Sequence, residues 1–570
     1  MNFKETLQKY ITRQTFFIAL IPTLAIILSV IIYIYESYAS PHMSGYIGIP
    51  GFKYRGFHND NMMGIITIIT ALGLLLILGI KQLKPAMWTT IVKNILTGLI
   101  IVLVIFSGII YFYGSRGVSK QHYPKFWDSY HYLLGPKYFS ELGYYKLYEC
   151  HLKADGEKSK PKYKNSNRTR NLRNYRYYSV GHARKRANCS TFSQKRWDEF
   201  KKDTQFFEKY TLRKVIQDHG YNGTPFHARI ASIFANIPNL NYKSVTVLSF
   251  IDIIGVAIAI ALIIWAFGWE IGTLFALFYF TNFADRFYYI GASYFRYMWM
   301  VCLGAGVAFL KKEKYAVSAV LLTASAMLNV FPLLFFAGIG TKTVFEFIKS
   351  RKILPQYKTF IMWAIIATVA FGSISLMQKR HIHNYKDFFN NMSQHSGLLT
   401  RSRIGFRFNF LYSGEFTRKD KKVSYREKKL IYNQNKPIIF LITGLILIFG
   451  FAVVIRLDDV KATVLGGFLL FFMLFSTVEY YYACAALLIL FWHNEENIRK
   501  QLIFLMLPFA FMSIIYLIWY THRFLPFCNN HGMTLFFTIY LGSILAVKGM
   551  ETKVVQDITS LIKKYSTKLK

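Results

Sequence analysis

The feature that most constrains this chain is the recurrence, from end to end, of apolar runs of about twenty residues. Each is long enough to cross a hydrocarbon core ~30 Å thick as a helix. Apolar residues make up 53% of the chain, and no long polar stretch reads as a soluble domain with its own core. These observations predict an all-α polytopic membrane protein.

Apolar runs fall at 15–38, 61–80 and 93–113, then at 244–265, 272–279, 297–310 and 316–340. Further runs follow at 359–376, 437–454, 461–476, 481–492, 501–520 and 533–547. The run 316–340 is interrupted by Asn329-Val330-Phe331-Pro332, and proline breaks the helical ladder, so two shorter helices are expected there. Roughly 12–14 transmembrane helices result. The first run lacks a small-residue cleavage site and reads as a retained helix. Placing the short Lys-rich loops inside puts both termini in the cytoplasm of a cell membrane and two long loops outside it. The expected divisions are an N-terminal pair of helices (1–92), a core (93–377) carrying the outer loop 115–243, a second outer loop (378–436), C-terminal helices (437–547) and a basic tail (548–570).

The formal net charge is +40. Cytoplasmic Lys and Arg account for part of it, but 19 basic residues against six acidic ones lie between His151 and Lys214, in a loop read as external. An outer location argues against nucleic acid. The insert 158–186 is expected to be a flexible arm for an anionic polymer or anionic lipid headgroups. Its plainer reading is a solvated loop. The five cysteines show no metal-ligand spacing, and no divalent metal is expected. Cys150 and Cys189 share the outer loop and are placed to form a disulfide if that loop meets an oxidising compartment. No GxGxxG or Walker motif appears, so the chain does not look ATP-driven.

Chemistry is most concentrated in Trp127-Asp128-Ser129-Tyr130-His131-Tyr132-Leu133-Leu134-Gly135-Pro136-Lys137-Tyr138-Phe139. Near-helical spacing of Phe126, Tyr130, Leu134, Tyr138, Leu142 and Tyr145 predicts an amphipathic helix along the bilayer surface. Asp128 and His131, three residues apart, would share a face. There a carboxylate beside an imidazole can take a proton from an attacking hydroxyl. The alternative is that Asp128 only caps the helix. Asp285, Arg286 and Arg296 fall in an aromatic connection at an outer helix end, where arginine can grip a lipid phosphate. His395, Arg401 and Arg403 in the second long loop would suit a phosphate leaving group. Glu479 begins a tyrosine-rich outer helix end, which also reads as an interfacial anchor.

The pieces Asp128-x-x-His131-Tyr132-x-x-Gly135-x-Lys137-Tyr138-Phe139 and Glu141-Leu142-Gly143-Tyr144-x-x-Leu147-Tyr148-Glu149 carry a resemblance. So do Asp218-His219-Gly220-Tyr221-Asn222-Gly223-Thr224-Pro225-Phe226, Gly291-Ala292-Ser293-Tyr294-Phe295-Arg296-Tyr297 and Asn329-Val330-Phe331-Pro332. With a long outer loop early and many spans after it, the chain resembles the GT-C class of membrane glycosyltransferases. The resemblance implies a polyprenyl-phosphate sugar as donor, catalysis on the outer face, and Asp128 as the base. Arg286, Arg296, Arg401, Arg403 and His395 would hold the donor phosphate. The catalytic loop here follows the third span rather than the first, which leaves Asp60 as a rival base. A transporter or flippase of a lipid-linked or anionic solute is the alternative, and a non-catalytic membrane scaffold the third reading.

Overall fold

The computed structural model describes residues 59–83, 90–117, 124–211, 213–285, 293–396, 398–400, 402–411, 425–522 and 527–550. The first apolar run, Arg286, Arg401 and most of the basic tail lie outside the described residues.

Helices α1 (Asn59–Leu83) and α2 (Thr90–Gly117) precede a mainly polar cap, which contains α3 (Leu147–Gly156), α4 (Gln194–Tyr210) and α5 (Pro225–Ala235). Apolar helices return with α6 (Tyr242–Phe267), α7 (Trp269–Thr281), α8 (Met298–Lys311) and α9 (Tyr315–Leu328). A 3₁₀ turn, Phe331–Phe335, leads to α10 (Phe336–Ser350) and α11 (Pro355–Leu376). The second polar loop carries α12 (His383–Ser396). The chain continues with α13 (Tyr425–Val454), α14 (Asp459–Leu474), a 3₁₀ helix Glu479–Trp492, α15 (Leu507–His522) and α16 (Thr534–Met550).

Among the described residues, seven helices are long and apolar enough to cross a membrane, with four shorter apolar helices beside them. The protein is an all-α polytopic membrane protein. A helix that is apolar on every side belongs in a protein core or against lipid. The core is the place of α7, buried from Ile271 to Thr281, and of the 3₁₀ helix, buried from Tyr482 to Phe491. Helix α11 belongs to the perimeter and exposes Ile361, Met362, Ile365, Ile366 and Val369, a face suited to lipid. Helices α10 and α14 meet at glycines: a Cβ added to Gly338 would lie 2.2 Å from the Ala462 carbonyl oxygen. Small residues permit this backbone approach between membrane helices.

The break expected around Pro332 is present between α9 and α10. Pro437, expected to open a span, instead lies inside α13, which starts at Tyr425.

The segment expected to be one interfacial helix is broken into short turns. Phe126–Ser129 is α-helical, Tyr130–Leu134 is a π turn, and Gly135–Lys137 and Phe139–Leu142 are further α turns. Pro136 supplies no backbone donor, and Gly143 turns the chain at φ 54°. Tyr130, Leu134 and Tyr138 are fully buried. Their periodicity marks a buried face, but what covers it is protein: Tyr130 packs on Tyr148, His151 and Phe207, and Tyr138 on Phe200.

The cap is held from inside by Lys137. Its ammonium bonds Asp203 at 2.7 Å and Glu199 at 2.9 Å, and the Tyr138 hydroxyl donates to the same Asp203 at 2.8 Å. A disulfide joins Cys150 on α3 to Cys189. The basic insert is folded rather than a flexible arm. Strands β1 (Arg168–Arg170) and β2 (Tyr177–Ser179) pair antiparallel, and a short helix Val180–Arg186 follows. Lys158 pairs with Glu208, Arg184 pairs with Asp155, and Arg170 donates to the Gln217 and Tyr175 carbonyls. Those contacts use as internal ties several charges that a solvated arm would leave free.

Candidate functional site

The site forms where the cap meets the ends of the apolar helices, and Arg296 is at its centre. The stretch Ser293–Tyr297 that presents it is fastened on three sides. Asp252 on α6 accepts the backbone N–H groups of Arg296 (2.7 Å) and Tyr297 (3.2 Å). His227 Nε2 donates to the Phe295 carbonyl at 2.9 Å, and the Tyr294 hydroxyl to the Ala231 carbonyl at 2.6 Å. These ties hold Phe295 at φ 58°, an unfavourable conformation for a bulky residue. The result is a guanidinium 3.7 Å from the Tyr132 ring centre and 4.9 Å from that of Tyr480. Arg296 is 8% exposed, and its Nε has no hydrogen-bond partner among the described residues. Aromatic faces attract such a cation but do not neutralise it.

Asp128 lies close enough for its charge to act on Arg296, and pairs with Lys125 at 2.9 Å. His131 is turned away from this role by two bonds of its own. Its Nδ1 donates to the Trp127 carbonyl at 3.0 Å, and its Nε2 accepts from the Tyr148 hydroxyl at 2.7 Å. The Tyr148 oxygen in turn accepts the Gly220 N–H at 3.1 Å, which fixes the direction of the chain and the neutral tautomer. Burial holds the His131 pKa below the usual histidine value against the pull of Asp218 and Asp128. His131 therefore positions the Trp127-Asp128 turn.

Asp218 is a residue that motif reading quoted without giving it a role. Its Oδ2 accepts the Trp127 indole N–H at 2.7 Å, and its Oδ1 accepts the His219 backbone N–H at 2.9 Å. Burial alone would raise its carboxyl pKa, but the His219 and Trp127 bonds and nearby His131 outweigh it and lower the value. Beside it His219, His395 and Tyr175 pack ring against ring. The Tyr175 hydroxyl lies 2.7 Å from His395 Nε2. Burial, with His219 and Arg403 close by, pushes His395 down to about 3.

The second loop closes the far wall. Arg403, in the two-residue strand β3 (Arg403–Ile404) paired with β4 (Thr477–Val478), donates through Nη1 to the Ser476 carbonyl at 2.5 Å. Glu479 is fully buried, and its N–H donates to the Ser402 carbonyl. On α12, Asn391 Nδ2 donates to Asn222 Oδ1 at 2.9 Å.

Two cavities meet here. A narrow cleft of about 40 Å³, of mixed lining, includes Tyr132, Asn222, His227, Arg296, Asn329 and Tyr480 in its wall. A groove of about 720 Å³ runs between α9, α10 and α11, with Ile339, Phe360, Ala364 and Ile365 in its wall. Its lining is almost wholly apolar. The two share Thr224, Val330 and Phe388, so the apolar groove opens at one end on the Arg296 cleft.

Of the residues singled out in the sequence, Asp128, His131, Arg296, His395, Arg403 and Glu479 gather around this junction. Lys137 and Tyr138 belong to the Asp203 cluster inside the cap. Asp285 is buried, accepting from the Tyr111 hydroxyl at 2.6 Å. Tyr132, Asn222, His227 and Tyr480 received no role, because sequence spacing cannot reveal partners brought together from distant segments. Among the described residues no three His, Cys, Asp or Glu side chains are grouped as metal ligands. Compared with known proteins, the chain matches no family model, no curated protein and no solved structure.

Proposed function

We propose that this protein is a membrane glycosyltransferase of the GT-C kind, taking its sugar from a polyprenyl-phosphate donor on the outer face. The observation that carries the reading is the apolar groove opening on a buried guanidinium that has no carboxylate within ion-pair distance among the described residues. A lipid-linked phosphate has this division: a hydrocarbon chain for the groove and an anionic head for Arg296. The phosphate would supply the charge that the Tyr132 and Tyr480 rings only partly compensate.

In the proposed reaction Asp128 accepts the proton of an acceptor hydroxyl as its oxygen attacks the anomeric carbon. The bond from that carbon to the phosphate oxygen breaks, and the leaving polyprenyl phosphate keeps the electron pair beside Arg296. Attack opposite the leaving group inverts the anomeric centre. Asp218 and His131 hold the Trp127-Asp128 turn. The Cys150–Cys189 disulfide supports an oxidising environment for the cap, and so the outer side.

Turnover of a lipid-linked sugar by the full chain in membranes tests the proposal. Asp128→Asn is expected to lose about 10²–10⁴-fold. Ala364→Phe, which fills the groove, is expected to raise KM for a long-chain donor and leave a short-chain analogue unaffected. Wild-type turnover by Asp128→Asn at equal protein level would rule out this base. Equal KM for both donors in Ala364→Phe would remove the lipid from the groove. Movement of the lipid across the bilayer without sugar transfer would favour a flippase.

A further inference from the structure

A separate cavity of about 290 Å³ lies on the polar side of the junction. Four cations from three segments line it: Lys146 ahead of α3, Arg173 from the β1–β2 hairpin, and Lys379 and Arg380 from the α11–α12 connection. Among the described residues, a local carboxylate pairs with only one of the four. Glu141, in the same wall, pairs with Arg196 at 2.9 Å, and Asp387 is taken by Arg380 at 2.8 Å. Among the described residues, Lys146, Arg173 and Lys379 have no carboxylate within ion-pair distance. Burial, with Arg380 and Arg173 close by, holds Lys146 below the ordinary lysine range.

A solvated basic face would let these side chains spread apart, whereas here the fold draws them around a void. Arg173 is laid over the Tyr145 ring at 5.0 Å. Arg380 has φ 73° and passes so close over Gly143 that a Cβ there would lie 2.8 Å from its Nη1. Gathering like charges this way is unfavourable unless an anion joins them.

The cavity backs directly onto the cleft. Tyr145 lines the cavity, while its neighbour Tyr144 donates to the carbonyl of Gly223, a cleft residue, at 2.8 Å. The Tyr145 hydroxyl donates to the Asp387 carbonyl, and the next residue, Phe388, lines both groove and cleft. The hairpin that sends Arg173 into the cavity sends Tyr175 to His395.

We infer that this cavity binds phosphate, and that the acceptor of the transferase is itself a phosphate-bearing molecule. The second clause rests on the transferase reading; the binding does not.

Two binding measurements on the full chain test it, comparing wild type with Arg173→Gln/Lys379→Gln, both exposed residues. The first titrates pyrophosphate into nanodiscs of neutral phosphatidylcholine. The second follows retention of phosphatidylglycerol by native mass spectrometry. Loss of about tenfold in affinity in the double variant is expected, from two charges at a solvent-facing site. Restoration by Arg173→Lys/Lys379→Arg is expected with it. A difference with pyrophosphate supports the inference and assigns a free phosphate; a difference confined to phosphatidylglycerol supports it and assigns a lipid headgroup. Wild type and double variant alike in both would overturn it. Neither measurement needs turnover, so an active Asp128→Asn would sink the proposed base and leave the anion site standing.

Discussion

Two clusters, each built around one buried cation with tyrosine beside it, differ in how completely the charge is satisfied. Lys137 inside the cap meets Asp203, Glu199 and the Ile237 carbonyl, and Asp203 also accepts from Tyr138 and the Leu240 N–H. Arg296 at the membrane junction has two aromatic faces and a carboxylate only at longer range. A closed network rigidifies what it connects, whereas a buried cation left open is costly unless a ligand completes it. The first cluster therefore reads as scaffold and the second as a place for an anion.

The comparison can be broken most directly at Lys137. Lys137→Met leaves the buried Asp203 carboxylate without its ion-pair partner and should lower stability by about 3–5 kcal/mol, measured as the thermal midpoint in detergent. An unchanged midpoint would show that the cap does not depend on this pair. Next is Arg296→Met, for which turnover should fall about 10²–10³-fold. Its stability should change by less than about 1 kcal/mol, since an apolar replacement removes a buried charge that has no ion-pair partner among the described residues. A stability loss equal to that of Lys137→Met would move Arg296 into the scaffold.

Smaller, and sharper, is the response to acid. His395 sits at about 3 in the folded chain, below the ordinary histidine value. Unfolded chains bind the proton first, so stability is complete above about pH 6.5 and declines as pH falls from there towards 3. At pH 5 the loss should be about 2 kcal/mol from this residue. His395→Gln should flatten the dependence of the thermal midpoint between pH 7 and 5. An equally steep slope in that variant would assign the acid sensitivity elsewhere.

Much of the membrane architecture was legible because lipid demands long apolar helices and Pro332 interrupts one of them. The Cys150–Cys189 pair was legible as a possibility set by location. The aromatic-rich stretch after Trp127 was recognisable as the place for chemistry, yet its surroundings were misread. Periodicity reports that Tyr130 and Tyr138 share a buried face, but it cannot say whether lipid or protein covers them. The insert 158–186 was read as loose because its composition is basic and short of aliphatic residues. What orders it is a set of ion pairs to Asp155 and Glu208, and spacing does not announce these. The aromatic clamp on Arg296 was hidden for the same reason, since Tyr132 and Tyr480 come from opposite halves of the chain.

The 3₁₀ helix Glu479–Trp492 changes a matter of reach. Fourteen residues wound as an α-helix extend about 21 Å, but at the ~2.0 Å rise of a 3₁₀ helix they extend about 28 Å. A run too short for the bilayer by ordinary winding thus nearly matches the ~30 Å hydrocarbon thickness. Drawing the helix out in this way sets where its first turn stops, and Tyr480 and Tyr481 are in that turn. Relaxation to α-helical winding would shorten the rod by about 7 Å, so that its two ends could not both keep their places. The placement of one wall of the site is thereby written into the pitch of a single helix.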